Sequence, residues 1–121
     1  LENQLILTGN VSNVSEYMQQ ASIYVMTSRS EGLPMVLLEA AQNGLPMVSF
    51  DIQTGPSEII EDGKNGFLIP PFSIDRMREK VEYLIMNEEV RDAFSKNTSS
   101  IQKRFDADVI TARWERLLDR L

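Results

Sequence analysis

Ile23-Tyr24-Val25-Met26-Thr27, then Ser28-Arg29-Ser30-Glu31-Gly32-Leu33-Pro34, then Met35-Val36-Leu37-Leu38-Glu39-Ala40-Ala41-Gln42-Asn43-Gly44, is the stretch that decides the fold. Its first five residues are β-branched or apolar with no strict alternation, the mark of a short strand buried on both faces. The next six, Ser28 to Leu33, are mostly polar and include a glycine, so they read as a loop. Pro34 suits the first helical position, where its missing N–H would be unpaired anyway. Met35 to Asn43 is a strong helix former, and Gly44 fits the position just past a helix end. Strand, loop and helix in this order form the repeating unit of a parallel α/β sheet.

The alternation continues on both sides. Upstream, Leu5-Ile6-Leu7-Thr8 reads as a first strand ended by Gly9-Asn10. Asn13 and Glu16 have the spacing of a capping box, opening a helix that runs to about Ser22. Downstream, Met47 to Phe50 is the third strand and Asp51 to Gly55 the loop after it. Pro56 starts a helix with Glu58 in its first turn and Gly63 at its end. Gly66 to Ile69 is the fourth strand, stopped by Pro70-Pro71. The remainder is helical. Ser73 caps a helix striped by Met77, Val81, Leu84 and Ile85, and shorter helices lie near Glu88–Ser95 and Thr98–Arg104. A last helix, near Ala107–Leu121, carries Val109, Ile110, Trp114, Leu117 and Leu118. These stripes read as core packing. The expected fold is α/β and Rossmann-like: a parallel sheet of about four strands flanked by helices, with a helical C-terminal tail.

The whole chain has 121 residues, enough for one domain. It contains no histidine and no cysteine. That excludes a Ser-His-Asp or Cys-His nucleophile, a zinc finger, a redox CxxC and a disulfide framework. Net charge is −6, unevenly placed: Arg29 is the single basic residue before Lys64, against eight acids in the same stretch. No basic stripe exists, so no nucleic-acid partner is expected. No run of about 18 apolar residues marks a membrane span. The start, Leu1-Glu2-Asn3-Gln4, has neither a signal-peptide pattern nor an initiator Met, which fits processing, an excised piece or a segment of something longer.

In parallel sheets ligands bind outside the carboxyl ends of the strands. The loop from Ser28 to Pro34 stands out there, because it places Glu31 beside a helix N-terminus and Glu39 about one turn into that helix. The helix dipole and free N–H groups favour an anion or an oxygen-rich group. Gly32 lets a ligand approach the backbone, and a second carboxylate can accept two hydrogen bonds from a vicinal diol. Taken by spacing alone, a plainer reading is favoured, in which Glu31 complements the dipole and Glu39 is solvated.

The surrounding residues change that balance. Glu31-Gly32-Leu33-Pro34-Met35-Val36-Leu37-Leu38-Glu39-Ala40 resembles the E-x7-E signature of family 4 retaining glycosyltransferases of the GT-B fold. Ala21 to Ser30, Gly44-Leu45-Pro46-Met47-Val48, Thr54 to Gly63 and Asn65 to Pro71 are similar to further blocks of that family, in the same order. The resemblance implies that Glu39 binds the ribose hydroxyls of a nucleotide-sugar donor. Glu31 would face the transferred sugar and the positive charge developing at its anomeric carbon, as the catalytic carboxylate. Gly32, Leu33 and Met35 would lie near the donor's sugar and phosphates, Leu38 along the nucleotide pocket, Asn10 and Val11 beside the base, and Thr54 and Gly55 at the cleft rim. Glu58 would stabilise its own helix. No metal and no cofactor are implied. The substrate is a nucleotide sugar, UDP-linked rather than GDP-linked by family habit.

Two departures matter. Leu33-Pro34 stands where many members have Phe-Gly, and Pro34 has no N–H to offer a phosphate. The Pro form is similar to members that build bacterial surface polysaccharides. The acceptor-binding N-terminal domain, the first strands of the donor domain and the family's diphosphate-binding Arg and Lys have no counterpart here. The chain is therefore expected to be residues 1–121 of a partial C-terminal, nucleotide-sugar-binding domain. Its glycan or lipid-linked acceptor would be held by the N-terminal domain, and the enzyme would be cytoplasmic, peripheral at the inner face of the membrane through that domain. The alternative is a free-standing, non-catalytic α/β module that binds a nucleotide sugar or a protein. With intervening strands absent, either the first strand pairs directly with the second or an open sheet edge invites dimerisation.

Overall fold

Met47-Val48-Ser49-Phe50 is the strand around which the domain assembles, and all four residues are buried. Side chains alternate across a strand, so Met47 faces one apolar cluster while Val48 and Phe50 face another. The computed structural model describes residues 3–121. Its elements in chain order are α1 (Val14–Gln20), β1 (Tyr24–Met26), α2 (Met35–Gln42), β2 (Met47–Phe50), α3 (Pro56–Ile59), β3 (Gly66–Ile69), α4 (Ile74–Met86), α5 (Glu88–Asn97), α6 (Ser99–Arg104) and α7 (Ala107–Leu118). The sheet has three strands, ordered β1-β2-β3 and parallel throughout, with Tyr24 opposite Met47 and Met47 opposite Gly66.

Helices cover both faces of the sheet. On one side Leu37, Ala40 and Ala41 of α2, Ile59 of α3 and Ile101 of α6 close over Met26 and Met47. On the other, Met77 and Leu84 of α4 and Phe94 of α5 close over Val48, Phe50, Phe67 and Ile69. Leu37, Met47, Ile59 and Leu84 are fully buried. Each such side chain contributes about 1.5–3 kcal/mol through burial. Helix α2 ends as its sequence predicts. Gly44 takes φ 68° and donates to the Ala41 carbonyl, while Leu45 donates to Ala40, both at 3.0 Å. This is a Schellman end, and it turns Leu45 into the core.

The sheet is one strand smaller than the sequence suggests. Leu5, Ile6 and Leu7 form no ladder and are exposed, Ile6 by 82%. An apolar run becomes a strand only where a neighbour can satisfy its N–H and C=O groups, and β1 pairs with β2 alone among the described residues. The outer side of β1 is thus an edge. Val25, expected to be buried on both faces of its strand, is 39% exposed. Other expectations shift locally. Asn13 makes no cap bond, because its side-chain amide donates to the Glu16 carboxylate (2.9 Å) instead of the residue accepting from the backbone. Pro34 sits at the N-cap, one residue before α2. Helix α3 stops at Ile59 rather than Gly63, because buried Asn65 takes over the backbone there: it accepts from Glu61 N–H and donates to the Ile59 carbonyl.

The last stripe is not core. Helix α7 contributes no buried residue, and Trp114 is 59% exposed, with Leu117 and Leu118 exposed beside it. The stripe on α4 is divided: Met77 and Leu84 are buried, Val81 is half-buried and Ile85 is exposed. Periodicity shows that a helix has an apolar face, but not that this chain supplies the surface to cover it. No helix among the described residues is long and apolar enough to cross a membrane.

Candidate functional site

The loops following β1, β2 and β3 meet at the carboxyl edge of the sheet. The first, carrying Glu31, is fixed by side-chain and backbone contacts together. Ser28 Oγ donates to Glu31 Oε1 at 2.9 Å, which orients the carboxylate within its own loop. Thr54 Oγ1, from the loop after β2, donates to the Glu31 carbonyl at 2.7 Å. Gly55 then packs so closely that a Cβ there would lie 2.4 Å from the Gly32 carbonyl oxygen and 2.6 Å from Pro34 Cδ. Its φ of 105° is one that side-chain-bearing residues rarely adopt. The β1 and β2 loops therefore form a single interlocked surface.

Helix α2 starts from that surface with no side-chain cap and no acid in its first turn. Its leading N–H groups, with the positive end of the helix dipole, are left for solvent or a ligand. Glu39 is exposed on the same helix, and Glu31 is half-buried at its entry. Tyr24, on β1, senses both. Its phenol is raised above its ordinary value of 10.0 by burial first, then by the charge of Glu39 and of Glu31. Tyr24 thus lies within reach of the charge of both carboxylates. The raised value favours the protonated phenol in the folded state. The associated stability is present below the unfolded value near 10 and is lost as pH rises through the folded value. In a titration followed by phenolate absorbance, Tyr24→Phe should remove a step lying above 10.0. A lost step at or below that value would mean that Tyr24 lacks this burial and these two neighbouring carboxylates.

The remaining expected site residues divide. Gly32 is exposed, with open space where its Cβ would be. Leu33 and Met35 present exposed apolar side chains around the loop. Leu38 turns partly inward and packs on the core beneath α2. Thr54 is exposed, with its hydroxyl committed to the Glu31 carbonyl, while Gly55 is buried. Asn10 and Val11 line a groove of about 390 Å³ with Thr8, Gly9, Val14 and Tyr17. Among the described residues, no hydrogen bond joins them to Glu31 or Glu39. A larger groove of about 480 Å³ lies along α7 and Arg120 just past its end, and neither glutamate contributes to it. Glu31 and Glu39 therefore stand on an open shelf of this chain. Among the described residues, no group of three or more Asp or Glu side chains could hold a metal ion.

Sequence reasoning missed Ser28, Tyr24 and the pair Arg29–Phe72. The signal for Ser28 was its position three residues before Glu31. Arg29, from the β1 loop, lies over the Phe72 ring, 5.5 Å from its centroid, and so brings in the loop after β3. Chemically, the shelf offers two carboxylates to accept hydroxyl protons or face a positive centre, and a helix N-terminus to receive an anion.

The chain is similar to known proteins along its length. A family model described as Glycosyl transferases group 1 matches residues 1–100. The chain is 35% identical over 122 residues to an exopolysaccharide phosphotransferase of Streptomyces coelicolor, taking in 100% of this chain and 13% of that protein. It is 33% identical over 119 residues to the amylovoran biosynthesis glycosyltransferase AmsD of Erwinia amylovora, covering 98% of this chain and 33% of that one. Its fold is similar to the crystal structure of HepE from Anabaena in complex with UDP: TM-score 0.91, 26% identity, 100% of this chain and 34% of that chain. The chain thus spans about a third or less of the length of these relatives.

Proposed function

This chain belongs to the glycosyl transferases group 1 family, and on that premise we propose that it is the donor-binding portion of a retaining, family 4 nucleotide-sugar glycosyltransferase. Residues 1–121 would form part of its C-terminal domain. The observation that carries the reading is the loop that Ser28 and Thr54 hold so that Glu31 stands at the entry to the uncapped helix α2, on which Glu39 lies. Glu39 accepts hydrogen bonds from the ribose hydroxyls. The diphosphate lies toward the leading N–H groups of α2, and Glu31 stabilises the positive charge that develops at the anomeric carbon as the nucleoside diphosphate departs. Gly32, Leu33 and Met35 border the sugar and phosphates, and Leu38 supports the nucleotide side from beneath.

The donor is UDP-linked, a reading supported by the UDP complex of the similar HepE. The product is a bacterial surface polysaccharide, supported by the similarity to the amylovoran enzyme. A preceding N-terminal domain supplies the acceptor site and any contact with the cytoplasmic face of the membrane. The test is calorimetric titration of the complete enzyme with UDP. Glu39→Ala removes charge-assisted hydrogen bonds, so affinity should fall about 10- to 100-fold. Unchanged affinity refutes the ribose assignment.

A further inference from the structure

Phe72 is the single non-glycine residue with positive φ among the described residues, at 66°. It occupies the third position of a turn, Pro70-Pro71-Phe72-Ser73, closed by a 3.0 Å bond from Ser73 N–H to the Pro70 carbonyl. Proline second and positive φ third is the pattern of a type II turn, where glycine is the ordinary third residue. A bulky side chain there strains the backbone. Core burial does not account for it, because the residue is 52% exposed.

What the ring does is bridge two loops. Its centroid lies 5.6 Å from that of Phe50, at an interplanar angle of 68°, an edge-to-face contact with the last residue of β2. Its face receives the Arg29 guanidinium. Arg29 adjoins Ser28, which holds the Glu31 carboxylate. Phe50, Phe72, Arg29, Ser28 and Glu31 thus form a continuous chain of contacts from the middle strand to the candidate catalytic group. Thr54 and Gly55 tie the same loop down at Glu31 and beyond it, and Arg29 is its fastening on the β1 side.

We infer that Phe72 is a positioning residue, retained in a strained turn because its ring, through Arg29, fixes the loop that presents Glu31. The reading rests on the proposed role of Glu31. It adds that the only basic residue in the first half of the chain is engaged by an aromatic face, which keeps its charge at the edge of the donor shelf.

The experiment uses the complete enzyme with Phe72→Gly, which relieves the turn and deletes the ring, and Phe72→Tyr, which keeps the ring. Amide hydrogen exchange across residues 28–33 is read first. It should speed up about 10-fold or more in Phe72→Gly and stay near wild type in Phe72→Tyr, with no loss of thermal stability in the glycine variant. UDP release from UDP-glucose and UDP-N-acetylglucosamine is read second. Phe72→Gly should lower kcat about 10-fold with KM changed less than about twofold, and Phe72→Tyr should restore kcat. Unchanged exchange in Phe72→Gly overturns the inference, as does a fall in kcat that Phe72→Tyr fails to restore. If the wild type neither binds UDP nor releases it from either sugar, the donor reading fails while the exchange result still decides the positioning.

Discussion

Gly55→Ala should part the interlocked loops after β1 and β2 and lower the melting temperature by about 10 °C or more. Two costs combine. The backbone at φ 105° is strained for any residue with a Cβ, at about 1–3 kcal/mol. The new methyl would also lie 2.4 Å from the Gly32 carbonyl oxygen and 2.6 Å from Pro34 Cδ. Neither neighbour can swing aside as a flexible side chain would, since one is backbone and the other a proline ring, so overpacking adds about 1–3 kcal/mol. For a domain of this size each kcal/mol shifts the midpoint by several degrees, of order 3–6 °C. Relief requires the β1 and β2 loops to part, which also breaks the Thr54 bond to Glu31. Gly32→Ala is the control. It adds a methyl in open space, so the midpoint should move by about 2 °C or less. Thermal unfolding followed by helical circular dichroism checks both. Equal shifts for the two variants would mean that the loops are not interlocked.

Glu31→Gln should separate chemistry from binding in the complete enzyme. The amide is isosteric, and its oxygen can still accept from Ser28 Oγ, so the loop keeps its shape. On the proposed role of Glu31, what disappears is the negative charge that would face the anomeric carbon. Losing one preorganised electrostatic partner of a developing charge lowers turnover about 100- to 1,000-fold. UDP carries no such charge, so its affinity should change less than about threefold. Steady-state UDP release and a parallel UDP titration measure the two quantities. Turnover equal to wild type would remove Glu31 from the chemistry. A matching loss of UDP affinity would make it a binding group instead.

The strand–loop–helix alternation was legible wherever a segment's own residues satisfy it. Met47–Phe50 and Gly66–Ile69 fall where expected, because runs buried on both faces leave little choice of conformation. The end of α2 at Gly44 was equally readable, since a left-handed residue followed by an apolar one closes a helix locally. What failed depended on partners elsewhere. Among the described residues, Leu5 to Leu7 has strand composition and no ladder to join, and Trp114, Leu117 and Leu118 have helical periodicity but stay at least half exposed. The glutamates of the candidate site were visible by spacing and resemblance. Their supports were not, because Thr54 reaches Glu31 across 23 positions and Phe72 reaches Arg29 from a separate strand end. Such contacts are set by the order of strands in the sheet, which local patterns do not encode.

Trp114 is the chain's one tryptophan, and it rides on the one long helix that stands outside both apolar clusters. Intrinsic tryptophan emission, the usual optical window on a folded interior, therefore looks out from the wrong room in this molecule. Its colour and intensity follow what approaches α7. The interior is better watched through its phenylalanine and methionine methyl and ring resonances, since Phe50, Phe67, Phe94, Met47 and Met77 line the sheet. A probe so placed is silent about the hydrophobic core and sensitive to any partner that approaches that helix.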